Sequence, residues 1–180
     1  MKEIEVKILN INKQKVEESL QILGAKKVFD GEMFAYFYDF KDGSITKSHS
    51  VMRLRKEGDI AMLTFKKVLG KQGVKIAEEN SVEVSNLSEM KKILENLGLS
   101  VTGSTEKHRV SYKLETVHFD IDHYIGQHNY IPELIEIEAE NLVVIHKWAE
   151  LLGFKAQDCL PWSINDLIQY YSPKSQIEKS

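Results

Sequence analysis

The residues able to do chemistry in this 180-residue chain fall in short runs of strict alternation. Glu3-Ile4-Glu5-Val6-Lys7 is the first. Arg53-Leu54-Arg55, Thr64-Phe65-Lys66, Lys107-His108-Arg109, Asp120-Ile121-Asp122 and Glu136-Ile137-Glu138 follow the same rule, and Glu83 stands between Val82 and Val84. Period two marks a strand with unlike faces, so each run sends its charges to one side and its aliphatic residues to the other. Carboxylates two residues apart on a strand lie roughly 7 Å apart along it, and neighbouring strands can add groups between them. One such strand alone reads as an antiparallel strand with one face in water; its recurrence along the chain changes the reading. Arginine forks and lysine ammonium groups suit phosphate oxygens. Clustered carboxylates suit a hard divalent cation such as Mg²⁺ or Mn²⁺. Together the two sets fit a metal-bound polyphosphate.

The elements that must position these groups can be read in order. Asn12 caps a helix over about residues 13–23, with Gly24 just past its end. An aromatic strand runs over 34–40, a turn over 41–44 and a polar loop over 46–50. Residues 51–55 and 60–67 form a hairpin turned by Glu57-Gly58-Asp59, and 70–73 is a flexible connection. A strand over 74–85 precedes a second helix, capped by Ser88 and running to Leu97. Strands over 106–113, 117–122 and 133–140 come next, with a loop at 124–131. A third helix passes through Trp148–Leu152, and a short one covers 165–171. Leu-Gly closes the first three helices, at 23–24, 97–98 and 152–153, which reads as ordinary glycine termination.

About eight such strands need cover for their apolar face, and three amphipathic helices are available. The opposite face is too charged for a dry core. A closed sheet of about eight strands encloses side chains or one small ligand and leaves no edges. The fold expected is therefore α+β: a closed eight-stranded antiparallel barrel with a charged interior and helices packed outside. A single domain over 1–171 precedes a frayed tail over 172–180. The alternation turns Lys7, Arg53, Arg55, Lys66, Lys107 and Arg109 inward, with Glu3, Glu5, Glu83, Asp120, Asp122, Glu136 and Glu138. This near balance allows a self-paired network. Buried ion pairs rarely beat hydrophobic packing on stability, however, so an ionic interior points to a charged ligand.

Composition narrows the classes. The formal charge of −3, from 24 basic and 27 acidic residues, gives no argument for bulk nucleic-acid or membrane binding. The 42% hydrophobic content suffices for one core. Cys159 is the one cysteine, which rules out an intramolecular disulfide and fits a reducing compartment; it reads as a buried thiol. Met1-Lys2-Glu3 lacks the apolar start of a signal peptide, and no apolar run is long enough to span a bilayer. The expected location is the cytoplasm. A homodimer stays open. His118, His123 and His128 read as surface or hydrogen-bonding residues rather than zinc ligands. Trp148 and Trp162 read as packing residues, and Lys66-Lys67 and Lys91-Lys92 as solvated pairs. No glycine-rich phosphate loop occurs, so side chains would have to hold a nucleotide.

In chain order these runs resemble the motifs of the CYTH superfamily, or triphosphate tunnel metalloenzymes, and within it the class IV adenylyl cyclase-like branch. Glu3-Ile4-Glu5-Val6-Lys7 is similar to the family's E-x-E-x-K signature, Arg53-Leu54-Arg55 to its R-x-R strand, and Leu63-Thr64-Phe65-Lys66 to its T-x-K strand. Lys107-His108-Arg109 resembles its later basic strand, Asp122 with Gly126 its D-x-x-x-G turn, and Ile135-Glu136-Ile137-Glu138 its closing E-x-E strand. Ser81 departs, standing where an acid is common. The resemblance covers about residues 1–154. It implies an antiparallel tunnel that binds a triphosphate, with Glu3, Glu5, Glu136 and Glu138 as ligands to Mg²⁺ or Mn²⁺. Lys7, Arg53, Arg55, Lys66, Lys107 and Arg109 would contact phosphate. The expected activity is that of a metal-dependent enzyme binding a nucleoside, thiamine or inorganic triphosphate. It would either convert ATP to cyclic AMP and pyrophosphate or hydrolyse the triphosphate. Asp122, Glu83 or Glu5 would orient the nucleophile, and the sequence does not choose. The alternatives are a module that binds nucleotide or polyphosphate without turnover and a purely structural ionic interior.

Overall fold

Each alternating run is a strand, and the strands close on themselves. The protein is seen here as a computed structural model that describes residues 2–71 and 75–173; the side chains of residues 2, 3 and 71 lie outside the described set. The order is β1 (Lys2–Leu9), α1 (Lys13–Ile22), β2 (Lys26–Phe40), α2 (Ser44–Lys47), β3 (Ser50–Glu57), β4 (Ile60–Lys71), β5 (Lys75–Val84), α3 (Leu87–Asn96), β6 (Leu99–Leu114), β7 (Val117–Tyr124), β8 (Leu134–Ala139), α4 (Leu142–Leu151) and α5 (Ile164–Tyr171). Neighbours around the barrel run β1-β5-β4-β3-β2-β6-β7-β8 and back to β1. Every pairing is antiparallel. The expected α+β barrel with helices outside is the fold observed.

The apolar parity of the strands faces outward against the helices. Val6, Ile8, Val110, Phe119, Ile121, Ile135 and Ile137 pack with Val16 and Leu20 of α1 and Ile145 and Ala149 of α4. A second cluster joins Tyr38, Leu54, Ala61 and Val84 to Leu94 of α3 and Ile45 of α2. Fully buried side chains such as Leu20, Phe119 and Ile145 each contribute about 1.5–3 kcal/mol by leaving water. Trp148 packs edge-on against Phe119, the packing role expected of it. The third cluster lies at one end of the barrel, where Leu167 of α5 is sealed against Tyr124, Ile131 and Leu134. There α5 lies across the barrel mouth. Among the described residues no helix is long and apolar enough to cross a membrane.

The structure corrects several local boundaries. Residues 44–47 are a short helix, not part of a loop, because the buried Asp39 carboxylate accepts hydrogen bonds from Ile45 N, Thr46 N and Thr46 Oγ1. The second helix is capped by Asn86, whose Oδ1 accepts from Glu89 N at 3.1 Å, so Ser88 lies inside it. The third helix starts at the Asn141 cap, well before Trp148. Strands β2 and β6 run much further than their apolar cores, because each supplies the other's partners from Lys26–Lys113 to Phe40–Leu99. Gly24 takes φ +86° and ends α1, and the Leu-Gly pairs at 97–98 and 152–153 end α3 and α4 in the same way. The connection expected at 70–73 lies partly, and the tail expected at 172–180 mostly, outside the described residues.

Candidate active site

Antiparallel register decides which charges become neighbours. Across β1 and β8, Glu5 is opposite Glu138 and Lys7 opposite Glu136. Across β7 and β8, Asp120 is opposite Glu136. Lys66 of β4 faces Glu79 of β5, Thr64 faces Ser81, and Glu5 faces Lys75. Directly opposed residues have Cβ atoms about 4.5–5.5 Å apart on one face of the sheet. The inward parity thus becomes a ring of charge around a cavity of about 1470 Å³, larger than the roughly 300–1,000 Å³ of a common small-ligand pocket.

Seven Lys and Arg and six Asp and Glu are among the lining residues, so net charge decides little and arrangement decides more. On the β1, β6, β7 and β8 side the cations are locked. Arg109 donates from Nε and Nη2 to the two Asp122 oxygens at 2.6 Å each, and from Nη2 to Glu136 at 3.0 Å. Its Nη1 donates to Asp120, and Lys107 Nζ donates to Asp122. Lys7 Nζ lies 2.9 Å from Glu136 and 3.7 Å from Glu5. Glu5 also accepts from Lys75 at 2.6 Å and pairs with Lys66 at 3.5 Å. Burial opposes the charge on Glu5, but Lys7 and Lys75 outweigh it and hold the carboxyl well below its ordinary range. Glu136 is likewise held low, by Lys7 and Arg109 against its burial. Lys7 is held above its ordinary value by Glu136 and Glu5, again against burial. Burial, with Lys7 and Lys66 nearby, pushes Lys75 down although Glu5 pulls it up.

The β3 side differs. Arg53 pairs in register with Phe37 of β2 and Thr64 of β4, neither of them acidic. Its buried Nε, and that of Arg55, have no hydrogen-bond partner among the described residues. Arg55 has one distant ion pair, with Glu57 at 3.6 Å. Burial, then repulsion from Arg55, lowers the pKa of Arg53. An unmade hydrogen bond to a buried donor costs about 1–3 kcal/mol. Two such donors on one strand face could serve an anion, since arginine forks match phosphate oxygens.

Lys7, Arg53, Arg55, Lys66, Lys107 and Arg109, expected to face inward, all line the cavity, as do Glu5, Asp120, Glu136 and Glu138. Lys66 is thereby no solvated surface lysine; Lys91, from the other such pair, sits 3.5 Å over the Tyr36 ring. Asp122 is fully buried, but behind Lys107 and Arg109 rather than on the cavity wall. Glu83 shares the inward parity opposite Met62, yet it is exposed and outside the lining. The Glu3 side chain lies outside the described residues. His118 and His128 both line the cavity, His128 also bonding Tyr130, whereas His123 pairs with Glu133 at 3.7 Å. Burial raises the Cys159 thiol, in keeping with an inert residue. Sequence reasoning missed Lys75 and Glu79, although β5 parity counted back from Glu83 through Ser81 reaches both. Ser81 itself donates to Glu79 at 2.6 Å. The short helix expected at 165–171 is present as α5, but its place at the site was not foreseen: its Ser163 cap and Asn165 line the cavity.

The carboxylates fit a hard divalent cation. Glu5 and Glu138 are directly opposed on neighbouring strands, so their oxygens are placed where a divalent cation could bridge them. Among the described residues no group of three or more His, Cys, Asp or Glu is gathered closely enough to hold an ion by itself. Further oxygens would have to come from Glu3, from water or from the bound substrate.

The CYTH domain model matches residues 1–158. The chain belongs to the CYTH family. A curated relative of this CYTH protein, from Methanocaldococcus jannaschii and named "Putative adenylate cyclase MJ0240", is 27% identical over 126 residues, covering 70% of this chain and 72% of its own. Among solved structures, the PH1012 protein of Pyrococcus horikoshii superposes with TM-score 0.77 at 25% identity, over 92% of this chain and 98% of its own. A Hippeastrum protein, "Putative adenylyl cyclase HpAC1", said to show a dominant triphosphatase activity, shares the fold at TM-score 0.61 and 16% identity, over 85% and 88% of the two chains. The helix α5 that crosses the barrel mouth lies beyond the residues matched to the CYTH domain.

Proposed function

We propose that this CYTH protein is a divalent-metal-dependent enzyme that binds a triphosphate inside its barrel and reacts it at phosphorus. One observation carries the reading: the unpartnered, buried guanidinium donors of Arg53 and Arg55 face a cavity whose other wall is ionically locked. Phosphate oxygens complete those donors, and Lys66, Lys75 and Lys107 add positive charge around them. Asp122, Asp120 and Glu136 hold the Arg109 guanidinium in one orientation, so its field is in place before substrate arrives. Glu5 and Glu138, with Glu3 and Glu136, are the residues that would hold Mg²⁺ or Mn²⁺. When bound, such an ion withdraws charge from phosphate oxygens. The locked carboxylates stay ionised down to low pH, so they remain available as oxygen donors throughout the neutral range.

Phosphoryl transfer is mainly positioning and charge stabilisation, so one clamp serves two outcomes. With the α-phosphorus facing the ribose 3′-hydroxyl, ATP yields cyclic AMP and pyrophosphate, the reaction to which the archaeal relative's name points. With the terminal phosphorus facing water, the product is orthophosphate. Glu5 is better placed than Asp122 or Glu83 to orient the nucleophile, because it alone of the three lines the cavity. The same reading has the protein act on a small molecule in the cytoplasm. The deciding experiment offers the purified protein ATP, thiamine triphosphate and tripolyphosphate with Mg²⁺ or Mn²⁺ and identifies the products. Absence of metal-dependent turnover with all three overturns the proposal, and binding without turnover assigns the module reading instead.

A further inference from the structure

Two aromatic rings of the cavity lining, Phe29 and Phe37, belong to none of the apolar clusters of described residues; the Phe29 ring lies against Gly31 and Gly58, and Phe37 is the one opposite an unpartnered guanidinium. Phe37 of β2 points to the inner side, is half-buried, and belongs to none of the three hydrophobic clusters of described residues. A large apolar side chain left half-exposed among charges calls for a reason. Its register supplies one. Phe37 lies directly opposite Arg53 on one side and Gly103 of β6 on the other. A Cβ placed on Gly103 would meet no atom within 4 Å, so open space lies beside the ring. Val51 adds apolar wall one inward position from Arg53. Thus a ring face, a gap next to it and an unpaired phosphate-binding guanidinium occur in consecutive places across three strands.

We propose that Phe37, over the gap at Gly103, is a stacking platform for a planar heteroaromatic group joined to the phosphate chain that Arg53 grips. The substrate class is then a nucleoside triphosphate or a similar ring-bearing triphosphate, not inorganic tripolyphosphate. This rests on the triphosphate reading above and adds to it the residues that select the organic part. Phe37 offers a π-face without hydrogen-bond readout, so stacking tolerates different bases. From α5, the exposed Asn165 also lines this cavity, and its side chain makes no hydrogen bond among the described residues, so its amide is available to a bound ligand.

The test compares ATP with tripolyphosphate, by calorimetric binding with Mg²⁺, in wild type, Phe37→Ala, Phe37→Trp and Gly103→Val. Base–aromatic stacking predicts ATP binding roughly 5- to 150-fold weaker in Phe37→Ala, with tripolyphosphate binding unchanged and Phe37→Trp restoring ATP. Gly103→Val fills the gap with a residue that favours strands, so it should keep the fold and also lose ATP selectively. Equal losses for both ligands, or no change in their ratio in either variant, overturn the stacking site while leaving the triphosphate reading intact. Failure of wild type to bind either ligand overturns both.

Discussion

Replacing Arg53 with methionine should make the protein more stable and less able to bind its ligand. Arg53 is buried with an unpartnered Nε, pairs in register with Phe37 and Thr64, and is repelled by Arg55. Removing one unmade buried hydrogen bond and one like-charge contact should stabilise by about 1–2 kcal/mol. In a chain of this size that corresponds to a Tm increase of about 2–8 °C, readable by calorimetry without ligand. The same substitution removes a charged donor to phosphate, a loss of about 1.5–3 kcal/mol, so tripolyphosphate or ATP should bind roughly 10- to 150-fold more weakly. Arg109→Met supplies the opposite sign. That guanidinium is held by Asp122, Asp120 and Glu136, and its removal leaves the fully buried Asp122 carboxylate with Lys107 alone, costing about 3 kcal/mol of stability. An Arg53→Met protein that melts lower than wild type with unchanged ligand affinity would refute the reasoning about unpartnered donors.

Acid stability should depend on Glu5 and Glu136. Both are held well below their ordinary value of 4.5 in the folded chain, so their contribution is complete above it and drains as pH falls toward the depressed values. Glu136→Gln should flatten the fall in Tm between about pH 5 and pH 3, and an unaltered slope would exclude Glu136 as a source of that dependence. Glu138→Gln removes one of the two opposed carboxylates; it should abolish Mg²⁺- or Mn²⁺-dependent turnover while preserving the circular dichroism spectrum, and normal turnover would remove Glu138 from the metal set. Leu167→Ala should cost about 2–5 kcal/mol in urea unfolding, because Leu167 is the fully buried residue that seals α5 to the barrel mouth; a loss below about 1 kcal/mol would mean that α5 is not docked.

Parity is what made most of the cavity lining readable before the structure. Because side chains alternate with a period of two, one assigned residue fixes a whole strand: Ile4 and Val6 outward puts Glu5 and Lys7 inward, and the register then seats them beside Glu138 and Glu136. The same rule applied to β5 reaches Glu79 and Lys75, so their omission was a failure to carry the count through. Parity gives a face, however, and not a depth. Asp122 and Glu83 both carry inward parity; one ends up sealed behind Lys107 and Arg109, the other exposed, because distance along the barrel and the bulk of neighbours decide what reaches the cavity. Long-range partners hid the rest. Residues 26–33 and 99–105 lack clean alternation and are strands because each pairs with the other. The first-turn amides of α2 donate to Asp39, which precedes the Gly43 cap position and is set apart in sequence from the helix it serves.

The two kinds of cation in this barrel follow from one constraint. Arginine and lysine side chains are long, and a cavity lined with free ones would be mobile and self-repelling. Pairing Arg109, Lys107 and Lys7 with Asp122, Asp120 and Glu136 removes that freedom and fixes the field on one wall. Complete pairing on both walls would leave nothing to attract an anion. Arg53 and Arg55 resolve this by standing where register opposes them with Phe37, Thr64, Ala35 and Met62 instead of carboxylates. On the proposed function, the sheet would select its ligand by what it withholds: one strand lacks opposed counter-charges, and an anion that supplied them would gain binding energy from donors the fold leaves unsatisfied. The Arg53→Met and Arg109→Met predictions then test one idea from two sides, because a missing partner should lower stability and raise affinity for phosphate at the same place.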